Sequence, residues 1–349
     1  MNMRMVLGRG LALGVLALAP LPAMATKVST PEAAGLSILT YNVEGLPWPV
    51  RFGRAAKLAR ISSTLNGLRA HGRQPHVIVL QEAFSPEAKA IARQAGYRYV
   101  VDGPSKTLAG ASAQTAADRA FAAGASLWRG ETQGKWLDSG LRIASDYPIV
   151  AVRRMAYPAF ACAGFDCLAN KGALAVMIRV PGVADPVSLV ATHLNSRVAS
   201  HASNERALYA YQRQMDALGT FVRDVVPAHD PFILAGDLNV GPKIERRAYL
   251  ARSTALWRTD APLNVAMTAC LPDPACAKGN IADLRFSNRR ARDWQFYSPG
   301  PRTGVKIAAI NGLFGRDPSG AMLSDHVGYV ASYLLTAAKT AAPITVASR

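Results

Sequence analysis

Apolar runs of strand length outnumber helical runs in this chain, and most follow one another across turns, which excludes a simple alternation of strands and helices around one parallel sheet. Residues 36–43, 76–80, 141–145, 149–155, 173–180, 187–193, 232–235, 293–297, 305–310 and 327–335 read as strands, bounded by Pro- or Gly-containing turns. Helical spacing is clear in three places: Leu58, Ile61, Leu65 and Leu68; residues 86–94; and Leu208, Tyr211, Met215, Leu218, Val222 and Val225, which Pro227 ends. Two packed sheets with helices outside accommodate this pattern. No break in composition divides it, so a single domain is expected over residues 34–336, with an Ala- and Thr-rich frayed tail at 337–349. The Ala-, Ser- and Gly-rich stretch 103–126 reads as a surface excursion or lid.

The chain has 349 residues, half of them hydrophobic, which is enough for a sizeable core and excludes global disorder. Its formal charge of +17 favours phosphate-bearing partners, either nucleic acid or an anionic membrane surface. Residues 1–25 read as a secretory signal peptide: Arg4 and Arg9 precede an apolar run at 11–21, and Ala23-Met24-Ala25 supplies small residues for cleavage near Ala25. That run is too short for a membrane anchor, and no later segment is apolar enough to cross a bilayer. A secreted or periplasmic protein is expected. Its four cysteines form two close pairs, Cys162/Cys167 and Cys270/Cys276, which suits local disulfides worth on the order of 2 kcal/mol each. Neither pair has the spacing or neighbouring histidines of a zinc site.

Polar groups stand where several apolar runs end. Asn42 closes Thr40-Tyr41-Asn42, Glu82 follows Val79-Leu80-Gln81, and His193 closes Ala191-Thr192-His193. Asp237 and Asn239 lie in Gly236-Asp237-Leu238-Asn239, and Asp325-His326 precedes the last strand. Taken singly, an Asp or Asn after Gly is usually a turn and a Glu after a strand is usually solvated. As a set they describe an active site on a sheet rim, where rigid strands bring metal ligands and acid/base groups together.

In this order, these segments resemble the endonuclease/exonuclease/phosphatase superfamily of deoxyribonuclease-like phosphodiesterases, over nearly the whole chain after residue 36. The resemblance implies a four-layer αββα sandwich of two packed mixed β-sheets with outer helices, and cleavage of phosphoester bonds with Mg²⁺, or alternatively Mn²⁺. It implies Glu82 as principal metal carboxylate beside Asn42, with Asp237 and Asn239 orienting water and phosphoryl group and adding oxygen ligands. His193 and His326 would be the acid/base pair, their individual roles left open. Asp325 would hold His326 or join the metal ligands, and Asp138, in Asp138-Ser139-Gly140-Leu141-Arg142-Ile143, would orient His193. Asp293 occupies a further motif position, but Trp294 and Gln295 depart from the family pattern. Hard oxygen ligands without cysteine suit Mg²⁺.

Within the superfamily, the stretch from Cys162 to Gly172, with Asn170-Lys171-Gly172, resembles secreted bacterial neutral sphingomyelinases. This implies a phospholipase C-type enzyme acting on a phospholipid head group, with peripheral membrane contact. The aromatic membrane-inserting hairpin of those enzymes has no counterpart in residues 298–323, which offer only Leu313 and Phe314. A secreted nuclease is the alternative, favoured by the charge and by basic clusters at Arg246-Arg247 and Arg289-Arg290 with Arg292. The other alternative is an inactive binding module on the same scaffold.

Overall fold

The computed structural model describes residues 33–47, 50–258 and 260–337. The expected signal peptide and residues 338–349 of the expected tail lie outside them, while residue 337 closes the last strand. Thirteen strands are found among the described residues: β1 (Ala34–Asn42), β2 (Val77–Gln81), β3 (Tyr99–Asp102), β4 (Arg142–Ser145), β5 (Ile149–Ala156), β6 (Gly172–Ile178), β7 (Val187–His193), β8 (Phe232–Asp237), β9 (Asn264–Val265), β10 (Ala277–Gly279), β11 (Asp293–Ser298), β12 (Thr303–Phe314) and β13 (Gly328–Ala337). They form two mixed sheets, ordered β10-β12-β13-β1-β2-β4-β3 and β5-β6-β7-β8-β11-β9.

Continuous apolar runs such as Val77-Ile78-Val79-Leu80 arise because both faces of the central strands are covered. Alternate residues serve different layers. Ile38, Val77, Val79 and Ile143 of the first sheet meet Leu174, Val176, Leu189 and Ile233 of the second in the central core. Leu39, Tyr41, Ile78 and Leu80 face outward onto α1 (Arg54–Ala70) and α2 (Pro86–Gln94) through Leu58, Ile61, Leu65 and Ile91. On the other side, Val190 and Leu234 pack against Tyr211, Met215, Leu218 and Val222 of α4 (Asn204–Val225). The result is the expected αββα sandwich. Truncating a fully buried side chain such as Leu65 or Ile233 to Ala should cost roughly 2–5 kcal/mol.

Local signals set the helix ends. Ser85 caps α2 by accepting from the Ala88 N–H, with Pro86 at the first helical position, and Ser203 caps α4 through the Arg206 N–H. The 103–126 stretch contains α3 (Ala116–Ala123), closed by a Thr115/Asp118 capping box. The buried Asn170 amide ties the stretch down by donating to the carbonyls of Ser105 and Leu108, so this part is anchored to the body instead of forming a free lid. Both cysteine pairs are bonded, Cys162 to Cys167 and Cys270 to Cys276. No helix among the described residues is long and apolar enough to cross a membrane.

Candidate active site

Strand pairing decides which polar ends meet. In the second sheet β7 runs parallel to β8 with His193 opposite Asp237, and β11 runs antiparallel to β8 with Asp293 opposite the same Asp237. Three chemistry-bearing side chains therefore sit in one row. Gly236 permits this approach, since a Cβ there would lie 2.1 Å from the Thr192 carbonyl oxygen. In the first sheet β1 and β2 are parallel, with Asn42 level with Gln81 and Glu82 one residue beyond. The two rims face each other, and Asn42 spans them: its Nδ2 donates to Glu82 Oε1 (2.9 Å) and to Asp237 Oδ2 (3.2 Å).

Two residues here hold left-handed backbone that is costly for anything but glycine: Glu82 (φ 55°) and Asn239 (φ 48°). The chain around each is pinned. The carbonyl of Glu82 accepts from Gly45 N–H and its neighbour Ala83 donates to Gly140, while Asn239 N–H donates to Asp237 Oδ1 (2.9 Å). Behind Asn239, the buried Arg246 donates to the carbonyls of Asn239, Asn195 and Ala207 and lies over the Tyr211 ring. Arg246 is thus scaffold and not the surface cluster its neighbourhood in sequence suggests.

The two histidines have opposite surroundings. His326 Nδ1 donates to both oxygens of the buried Asp293 (2.8 and 3.0 Å), and its Nε2 lies 3.7 Å from Asp237 Oδ2. Burial works against a charged ring, but Asp293 and Asp237 outweigh it and hold His326 up at about 9. His193 Nε2 lies 3.3 Å from Lys171 Nζ, 3.6 Å from Asp237 Oδ2 and 4.0 Å from Glu82 Oε1. An ammonium can only donate, so Nε2 accepts and the ring proton sits on Nδ1, a buried atom without a protein partner. Burial first, and then the Lys171 charge, depress His193 to about 3. Asp237 is kept at about 2: burial raises it, but the charge of His326 and then of His193 prevails. Burial pushes Glu82 up against the opposing Asn42 amide.

Two expected contacts do not form. Asp138 accepts from Lys89 Nζ (2.6 Å) and Gly140 N–H (2.9 Å) and leaves the His193 ring alone. Asp325 turns to Arg290 and Arg292 (3.4 and 3.3 Å), with Oδ1 3.8 Å from His326 Nε2, so Asp293 and not Asp325 holds His326. The amide nitrogen of Asn239 donates to the Leu194 carbonyl. Lys171 is the residue missed: it is buried, and bonds Asp166 Oδ2 (2.8 Å), Leu194 O (3.0 Å) and His193. Asp237, Asp293 and His326 lie close enough to share an ion, but both Asp293 oxygens are already engaged by His326. Glu82 Oε1 and Asp237 Oδ2 face each other across the Asn42 amide, which donates to both.

The sequence pattern of the Endonuclease/Exonuclease/phosphatase family matches residues 39–326. The chain belongs to this family. Its members are hydrolases of phosphodiester bonds, and the likeness drawn from Asn42, Glu82, His193, Asp237 and His326 holds at that level. No curated protein sequence matches the chain. Among solved structures, sphingomyelinase C from Streptomyces griseocarneus is similar, with 21% identity and a TM-score of 0.57 over 85% of this chain and 99% of the other. A beta toxin variant from Staphylococcus aureus with bound magnesium ions has 17% identity and a TM-score of 0.57 over 85% and 98%. TDP2 of D. rerio in complex with a single-strand DNA product has 15% identity and a TM-score of 0.54 over 86% and 98%. At these identities the likeness shows a shared fold.

Proposed function

We propose that the protein is an exported, metal-dependent phosphodiesterase that hydrolyses the head-group phosphodiester of a phospholipid. The observation that carries the hydrolytic part is the meeting of Glu82, Asn42, Asp237, His193 and His326 from both sheets on one rim. Glu82 and Asp237, with Asn42 beside them, offer the hard oxygens that Mg²⁺ or Mn²⁺ takes. When bound there, such an ion would offset the charge that builds on the phosphoryl oxygens.

The protein's own groups would divide the remaining work. Asp237 and Asn239 orient a water whose oxygen bonds to phosphorus as the bond to the lipid oxygen breaks. His193 takes a proton on the water side once Lys171 gives up Nε2, because that nitrogen has a single lone pair and the ammonium holds it in this structure. His326, fixed through Nδ1 by Asp293, directs Nε2 at the departing oxygen and returns a proton to it, releasing a phosphorylated head group and a lipid alcohol. Lys171 holds His193 in place.

The lipid part rests on exposed aromatics. Trp128 and Trp136 are 89% and 61% exposed, and Leu127, Phe165 and Val198 are exposed too. The Trp136 backbone N–H donates to the carbonyl of Leu168, which follows the disulfide-bonded Cys167, and Phe165 adjoins Asp166, the partner of Lys171, so this apolar fringe is built on the loops that support His193. Such residues suit a membrane interface. Phe314, by contrast, is buried against Tyr41, so the segment before His326 offers no aromatic membrane anchor there. The two disulfides accord with an oxidising compartment.

The test is a hydrolysis panel of sphingomyelin, phosphatidylcholine, an anionic phospholipid, DNA and RNA, with Mg²⁺ and with excess chelator. Phosphorylated head group should be released with Mg²⁺ and not with chelator. Full turnover in chelator overturns the metal, cleavage of nucleic acid alone overturns the lipid, and no hydrolysis of any substrate returns the protein to a binding role.

A further inference from the structure

Beside His326 lies a cleft of about 410 Å³ that this chemistry does not use, formed by the loops after β7 and β8 and by α7 (Ile281–Arg290). Arg197, Arg289, Arg290 and Arg292 line it, with Asn239 and Phe286. Arg292 Nη1 reaches to 3.4 Å from His326 Nε2, and Asn239 belongs to the catalytic rim, so the cleft adjoins that rim. Arg289, Arg290 and Arg292, the cluster that in the sequence favours a nuclease, thus stand beside the catalytic rim.

The charge balance is one-sided. Arg290 and Arg292 share the single carboxylate of Asp325. Arg197 donates to Asn204 Oδ1, and Arg289 has no ion pair among the described residues. Four guanidinium groups therefore face one carboxylate in a concave wall, which concentrates the field. A quaternary ammonium needs an open aromatic face or a carboxylate. Here the Phe286 ring is already covered by Arg290 and Arg316, at 5.3 and 4.2 Å. Guanidinium forks match phosphate oxygens instead.

We infer that this cleft is a subsite for a second anionic group, so the preferred substrate is a phospholipid whose head group carries a phosphate monoester besides the scissile diester. This rests on the phospholipid reading above and narrows it away from phosphocholine.

The experiment compares monomeric dioctanoyl phosphatidylinositol with its 4-phosphate, below their micelle concentrations and with Mg²⁺ present. The 4-phosphate should show a kcat/KM at least tenfold higher, mostly through KM. Arg197→Gln with Arg289→Gln should bring that ratio toward one, while Arg223→Gln, on the exposed side of α4, should leave it unchanged; thermal melts check that each variant is folded. Equal kcat/KM for the two lipids, or faster hydrolysis of short-chain sphingomyelin than of either, overturns the subsite alone. Cleavage of single-stranded DNA with no hydrolysis of any lipid overturns the phospholipid reading and the inference with it.

Discussion

The rims that carry His326 and His193 use the same side chain at the end of the same kind of strand, yet they are built for opposite charge. Around His326 a buried carboxylate accepts a hydrogen bond from Nδ1–H and two arginines stand outside it. Around His193 a buried ammonium donates to Nε2, a disulfide loop carries the counter-charge Asp166, and Nδ1 is left without a partner. Asp237, within 3.7 Å of both rings, belongs to neither side. What separates an imidazolium from a neutral imidazole here is one carboxylate against one lysine, each supplied by a neighbouring strand end.

Removing a ring should have the largest effect. His326→Ala and His193→Ala are each expected to lower kcat by at least about 100-fold, the lower range for a positioned acid or base, with the fold retained. Steady-state kinetics check this, and near-parental turnover in either variant removes that histidine from the chemistry. Asp293→Asn tests the asymmetry itself and should cost roughly tenfold in turnover. In metal-free protein the charged His326 contributes stability that is fully present below about pH 6.5 and lost as pH rises through about 9, whereas neutral His193 costs stability as pH falls from 6.5 toward about 3. Asp293→Asn should therefore weaken the fold more at pH 6 than above pH 9, and an NMR titration should show His326 releasing its proton at lower pH. The smallest effect is expected from Lys171→Met, which takes away the cation that depresses His193: the ring's proton affinity should rise in the same titration, with a loss of turnover of several-fold. An unshifted His193 would show that burial alone keeps it neutral.

Much of this rim was legible because strand termini in a two-sheet sandwich converge, so Asn42, Glu82, His193 and Asp237 could be picked out from the apolar runs they close and His326 from the run it precedes. Their partners were not. Asp325 is next to His326 in sequence, but in the bend before β13 it turns to Arg290 and Arg292, and the true partner, Asp293, arrives from β11 with a flanking Trp294-Gln295 that departs from the family pattern. Lys171 was visible only as part of Asn170-Lys171-Gly172 and not as a site residue, because lysines are seldom buried and only the packed loop shows one enclosed with Asp166. The strands β3, β9 and β10 are short, and α5 (Ile244–Thr254) and α7 are arginine-rich with little apolar periodicity, so they fell below any pattern in the chain.

One pairing also sets the order of events in time. β13 lies between β12 and β1, with Ala34 opposite Leu335, so the first strand of the domain, already beside β2, gains its second neighbour only after almost every other residue of the domain has been made. Contacts this distant along the chain are slow to form, because the intervening segment must be ordered before closure is rewarded. His326 stands two residues before that last strand begins. A growing chain therefore carries His193, Glu82 and Asp237 for most of its synthesis without His326, and the proposed hydrolysis would begin only when the C-terminal strand has slotted home.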